Sequence, residues 1–272
     1  MANSIPLWAL GLLTFLSCVL ASSLGMFINR WQRSRHPGSG DKIQSTAEGY
    51  IVAAIFGLLA FVLGLTFSIA VDRYDARRIL VVEEANAIGT AYLRASLFDD
   101  PARSRLQSAI YDYTKNRIVP DGTRFEEMGP WLERNRALRQ RLWDETRAAV
   151  YPERRNILAG NFVSSMNAML DTGTMREMVG RAFVPVRILD SLLLCLLAAC
   201  GLLGYLLGSR SSRLRWASLL LYALFTVAFV LVLDLDRPRS GTIKIPQTAL
   251  EELVADLDWQ RAREQSMVAK AQ

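Results

Sequence analysis

Histidine occurs once in this chain, at position 36, cysteine occurs three times, and no zinc-protease helix motif, phosphate-binding glycine loop or GxSxG nucleophile elbow is present. His36 sits in a polar stretch beside Pro37-Gly38-Ser39-Gly40 and reads as a solvated side chain. Cys18, Cys195 and Cys200 each lie inside an apolar run at no metal-ligand spacing, so small buried side chains are expected rather than a metal centre or a disulfide framework. Glu83 and Glu84 are adjacent and leave a helix in different directions, which makes a poor acid and base pair. These absences leave no expectation of an enzyme, a metal or a cofactor. Alternation of period two is missing as well, which argues against a sheet. Proline is absent from Tyr50 to Phe98, so nothing there breaks a helix.

What is present is apolar sequence in blocks. Of 272 residues, 51% are hydrophobic and the mean hydropathy is +0.17, above the level of an ordinary soluble domain. A net charge of +6 and a pI near 9.5 would fit nucleic acid, but many arginines flank apolar runs, where they read as membrane-surface and topology charges. About 20 apolar residues at about 1.5 Å each cross the hydrocarbon core. Four spans are predicted on that basis: Pro6 to Ile28, Tyr50 to Val71, Val186 to Leu207 behind Pro185, and Trp216 to Leu233. The first is too long for a signal-peptide core, lacks a basic leader and is followed by arginines, so it is read as retained.

The stretch from Tyr50 to Phe98 organises the rest. Beyond Val71 it carries Val81, Ala85, Ile88 and Tyr92 at the spacing of one helix face, which predicts a single rod that spans the bilayer and continues into a helical domain. The fold class is all-α, multi-pass, with four transmembrane helices and a helical domain inserted between spans two and three. The divisions are residues 1–71 (spans one and two), 72–185 (soluble helical domain), 186–234 (spans three and four) and 235–272 (C-terminal tail). In the domain, Asp100-Pro101 reads as an N-cap and first helical residue, Gly129-Pro130 and Tyr151-Pro152 as further starts, and Leu158, Phe162, Met166 and Met169 as one core face. In the tail, a short extended piece from Thr242 to Ile245 precedes Thr248-Ala249-Leu250-Glu251, which has the form of a capping box. Leu250, Leu253, Val254 and Leu257 follow as an amphipathic face, and the last dozen residues are expected to fray.

Small residues recur on two spans. Ala53, Gly57, Ala60, Gly64 and Ser68 form a smooth strip on span two, and Gly204 and Gly208 form GxxxG on span three. Such strips let helices approach closely, within one subunit or at an oligomer seam. A pore wall with Thr66 and Ser68 facing water is the functional reading. Asp72, Asp75, Asp190, Asp234 and Asp236 fall at span ends on the domain side, where a carboxylate ring would gather cations. Arginines occupy the same layer, so interfacial salt bridges are the simpler account, with Asp72, Asp190 and Asp234 kept as ion-contact candidates. Asn86 and Thr90 offer a polar contact or mark a helix crossing. The arginine face from Arg134 to Arg147 is open to anions or lipid heads, with a solvated surface as the plainer alternative.

The run from Gly64 to Arg78, GLTFSIAVDRYDARR, the segment from Glu83 to Arg94, EEANAIGTAYLR, and the late Asp234 to Gly241, DLDRPRSG, resemble the bacterial membrane family labelled bestrophin-like. The resemblance covers most of the chain. It is thinner toward true bestrophins, whose span-two exit carries a Tyr-x-Arg-Trp-Trp-Glu-x-Arg run; Tyr74, Asp75 and Arg77-Arg78 keep the charges here, without the paired tryptophans. Bestrophins are oligomeric ion channels, commonly pentamers, with span two lining an apolar neck. Their neck places large apolar residues four apart, whereas Phe56, Phe61 and Phe67 are five and six apart, so the neck residues do not carry over. The resemblance implies a homo-oligomeric ion channel of a bacterial plasma membrane with lipid and inorganic ions as partners and no nucleic acid. The alternative is a non-conducting scaffold or sensor whose helical domain binds a protein or lipid. On topology, the arginine-rich short connections place the N-terminus and the helical domain outside, while the bestrophin pattern implies a cytoplasmic domain.

Overall fold

The structure is a computed structural model that describes residues 6–35, 42–120, 123, 125–152, 156–208, 212–237 and 241–271. His36, the Pro37 to Gly40 breaker, Asp121, Gly122 and Arg210 lie outside them, as do the side chains of Lys42 and Arg213. Eight α-helices are described, and no strand: α1 (Leu7–Arg35), α2 (Lys42–Ala95), α3 (Ala102–Arg117), α4 (Gly129–Val150), α5 (Ile157–Gly180), α6 (Val186–Leu207), α7 (Ser212–Leu235) and α8 (Thr248–Ala271). Among the described residues four stretches are long and apolar enough to cross a membrane: Leu7–Arg35, Gly49–Ala95, Val186–Leu207 and Leu214–Leu235. The expected rod is present as α2, 54 residues without a break.

The chain divides into two compact units. One comprises Met1–Asp72, Phe183–Arg237 and Gly241–Ile243, the other Arg73–Ala182 and Lys244–Gln272. The first holds α1, α6, α7 and the leading part of α2, and its pattern is inverted relative to a water-soluble bundle. On α1 the buried positions are Thr14, Cys18, Ser22, Gly25 and Asn29, while Leu12, Leu16, Leu20, Leu24 and Phe27 face outward. Lipid tails reward no burial of leucine, so small and polar residues take the contacts between helices and apolar ones take the lipid face. Helices α1 and α6 meet backbone to backbone. A Cβ on Gly204 would stand 2.0 Å from the Ser22 carbonyl oxygen, and one on Gly25 would stand 2.0 Å from that of Gly201. Tyr222 on α7 donates to Ser22 Oγ at 2.9 Å, and the Phe56 and Phe225 rings meet at 5.4 Å.

The second unit has the ordinary arrangement. Val81, Ala85, Ile88 and Tyr92 on α2 pack with Leu106, Ile110 and Tyr113 on α3, Leu142 on α4, Phe162, Met166 and Met169 on α5, and Leu250 and Leu257 on α8. Several local expectations shift. Helix α3 begins at Ala102 with Pro101 at the cap, because the Asp100 carboxylate turns instead to Ser104 Oγ (2.5 Å) and Arg103. Pro152 lies in a turn, and α5 starts at Ile157 behind Asn156, whose Oδ1 accepts from the Leu158 amide at 3.0 Å. Leu158 consequently sits in the first turn and is 46% exposed rather than on the core face. Thr248 is the first residue of α8, so Gln247 precedes the helix, and α8 continues to Ala271 where fraying was expected. The piece from Lys244 to Gln247 has no regular structure.

Candidate functional site

Helix α2 is the element to which the functional expectations attach, and in the spanning unit it is two-faced. Val52, Leu59, Thr66 and Ala70 are buried against the unit, whereas Ala53, Gly57, Ala60, Gly64 and Ser68 are exposed. A Cβ built at Gly57 or Gly64 would meet nothing within 4 Å. Among the described residues nothing therefore packs on the strip at Gly57 or Gly64, in contrast with Gly204, pressed on Ser22, and Gly208, whose added Cβ would stand 3.0 Å from the Asn29 side chain.

The expected polar positions separate on this helix. Ser68 and Asp72 are exposed. Thr66 is 2% exposed and its hydroxyl donates to the Val62 carbonyl at 2.8 Å. Two residues are about 200° apart around an α-helix, so Thr66 and Ser68 do not share a face, which corrects their pairing on one wall. Asp190 is exposed near the start of α6. Asp234, by contrast, is buried at the end of α7: its carboxylate accepts from the Thr242 amide (2.6 Å) and the Thr242 hydroxyl. Gly241 is required beside it, since a Cβ there would lie 2.2 Å from Asp234 Oδ1. Asp236 likewise accepts from the Val184 amide at 2.8 Å. These two carboxylates stitch the chain leaving α7: backbone groups are among their partners, and both also act electrostatically on the buried Arg237, as expected of an arginine in this layer.

In the helical unit α2 bears a cluster that sequence reasoning missed. Glu84, fully buried, places Oε1 2.6 Å from Arg117 Nε and Oε2 2.6 Å from Arg176 Nη1. Arg117, itself 1% exposed, also reaches Glu177 Oε1 at 2.6 Å and the Gly173 carbonyl at 3.0 Å. Glu177 accepts in addition from Asn135 Nδ2 at 2.6 Å, and Arg176 Nη2 donates to Gln247 Oε1 at 3.2 Å. Gln247 in turn holds the Val119 amide and carbonyl at 3.0 and 2.7 Å. Two guanidinium and two carboxylate groups balance one another, which is the condition under which such burial is tolerated. Burial opposes the Arg117 charge, but Glu84, Tyr113 and Glu177 outweigh it and hold its pKa above that of an ordinary arginine. Burial also pushes the neighbouring Tyr113 phenol up to about 12.

The cluster is a structural tie. Arg77, 3% exposed, is another: it donates to the Ala182 carbonyl at 2.6 Å and the Val179 carbonyl at 3.4 Å, closing the end of α5. Asn86 and Thr90 are exposed and meet through the helix itself, Thr90 Oγ1 donating to the Asn86 carbonyl at 2.9 Å. Among the described residues no group of three or more His, Cys, Asp or Glu side chains could hold a metal ion.

The family model described as Bestrophin-like domain matches residues 15–250. Crystal structures of substituted forms of a bacterial bestrophin homolog from Klebsiella pneumoniae are similar in fold. One has a TM-score of 0.69 at 15% identity, covering 92% of this chain and 96% of that one. A second has a TM-score of 0.65 at 15% identity, covering 90% and 96%. A crystal structure of a substituted membrane protein has a TM-score of 0.66 at 14% identity, covering 91% and 97%. No curated protein sequence matches the chain.

Proposed function

The chain belongs to the Bestrophin-like family, and from that premise we propose that it assembles with copies of itself into an ion-conducting pore of a bacterial plasma membrane. Helix α2 lines the passage and the seams between copies. The observation that carries this is the strip Ala53, Gly57, Ala60, Gly64 and Ser68, exposed along a span whose opposite face is packed into its own chain. Packing drives helix association in lipid, and a strip of small residues packs against another backbone. In the helical unit the same helix exposes Ile79 (55%), Val82 (47%) and Leu93 (61%), which the helical period places on one face. Apolar side chains aligned on one helix face in water call for cover, and further copies of the chain supply it.

Ser68 and Asp72 on this face, with Asp190, are the groups proposed to meet the ion, and a pentamer is the assembly that the family resemblance implies. Asp234 and Thr66 are left out of that role in this reading, since both are buried within the chain, Thr66 with its hydroxyl donating to Val62 and Asp234 accepting from Thr242. The test is conductance of the purified protein in planar bilayers, together with its mass in detergent. Discrete currents whose reversal potential shifts on Asp72→Asn or Asp190→Asn support the reading, and a monomer overturns it. An intact oligomer that stays silent under varied ions, voltage and pH would favour the non-conducting scaffold.

A further inference from the structure

The helical unit contains a groove between α4 and α5 that the reading above does not use. Its volume is about 410 Å³, within the range of roughly 300–1,000 Å³ typical of small-molecule sites. Leu132, Asn135, Arg136, Arg139 and Gln140 line it from α4, at the spacing of one helix face, and Leu170, Glu177 and Arg181 line it from the α5 side. Three guanidinium groups therefore converge on it from two directions. The one carboxylate in the lining, Glu177, is engaged by Arg117 and Asn135, each at 2.6 Å. Arg139 is set in place by a hydrogen bond to Thr174 Oγ1 at 2.7 Å, and among the described residues neither Arg136 nor Arg139 forms an ion pair. Asn135 is 2% exposed, and while its Nδ2 serves Glu177 its Oδ1 accepts no hydrogen bond. A buried acceptor of this kind is costly to leave unmet.

We propose that this groove binds a phosphate-bearing anion. Planar guanidinium forks match phosphate oxygens in pairs and outdo lysine in that geometry. Asn135 Oδ1 itself has almost no solvent-accessible area, so a protonated phosphate oxygen, unlike any oxygen of sulfate at neutral pH, supplies the donor it lacks once the side chain turns toward the groove. Arg136 and Arg139 come from α4 and Arg181 follows the end of α5, and through Glu177 the groove reaches the buried cluster around Arg117. The ligand is a free phosphate compound or a lipid headgroup that ends in a phosphomonoester, and the two share this recognition.

Calorimetric titration of the full detergent-purified chain with inorganic phosphate, at constant ionic strength and neutral pH, tests the site. Saturable binding that weakens roughly tenfold or more in Arg136→Gln, with sulfate binding more weakly than phosphate, is the expected result. Gln140→Glu, which puts a carboxylate into the lining at an exposed position, is expected to weaken it as well, and it guards against misreading a folding defect in Arg136→Gln. Displacement of bound phosphate by short-chain phosphatidic acid at much lower concentration assigns the headgroup as the source. Displacement by glycerol phosphate at a concentration equal to that of phosphate assigns a soluble compound. Heat that follows ionic strength alone, or binding equal in wild type and both variants, overturns the proposal. Neither variant touches α2, so conduction is not required for the result.

Discussion

Glu84 shows how much a single position carries. Its two oxygens each meet a guanidinium at 2.6 Å in a site closed to water. Glu84→Gln leaves Arg117 and Arg176 with an uncompensated buried charge, and a loss of about 3–5 kcal/mol is expected in thermal or denaturant unfolding of the helical unit. Gly173→Ala attacks the same place sterically, since the new Cβ would stand 2.4 Å from Tyr113 Oη and 3.0 Å from Glu84 Oε1. Tyr113 adds a dependence on pH. Its pKa is raised from 10.0 to about 12, so the folded state keeps the phenolic proton where the unfolded state releases it. Stability is therefore whole below about pH 10 and declines as pH rises toward about 12, by on the order of 2–3 kcal/mol. Tyr113→Phe should flatten that alkaline slope, leaving the part due to Tyr92, whose phenol is also raised by burial, which melting curves followed by circular dichroism across this window will show.

At the scale of elements, glycines on two spans do opposite work. On α6 Gly204 admits the α1 backbone, and Gly204→Ala is expected to cost at least about 1–3 kcal/mol, because Ser22 backbone atoms occupy the space of the new methyl. On α2 Gly57 meets nothing, so Gly57→Leu should leave the fold of the chain intact while blocking close approach between copies. A melting temperature near wild type combined with a changed mass in detergent is the expected pair of readings. The spacing of small residues was legible on both spans. Which strip is internal was not, since GxxxG and its relatives describe one surface and say nothing of what covers it.

For the whole molecule, assembly and orientation are the properties to measure. The proposed pore requires an oligomer in detergent, with a current altered by Asp72→Asn. With the arginine-rich links held inside, a single cysteine placed at Ser4 is expected to react with an impermeant label from outside intact cells. Protection of that cysteine would instead put the helical unit in the cytoplasm, as the bestrophin resemblance implies. The sequence by itself determined the helices, the four apolar stretches and the core face Val81, Ala85, Ile88 and Tyr92, because length and the 3.6-residue period are local properties that lipid and water select directly. The tertiary structure alone decided that one face of α2 is left uncovered and that Glu84 meets Arg176, 92 positions away. Charges on arginine-rich helices look solvated until packing removes the water, and only the fold determines which of them it encloses.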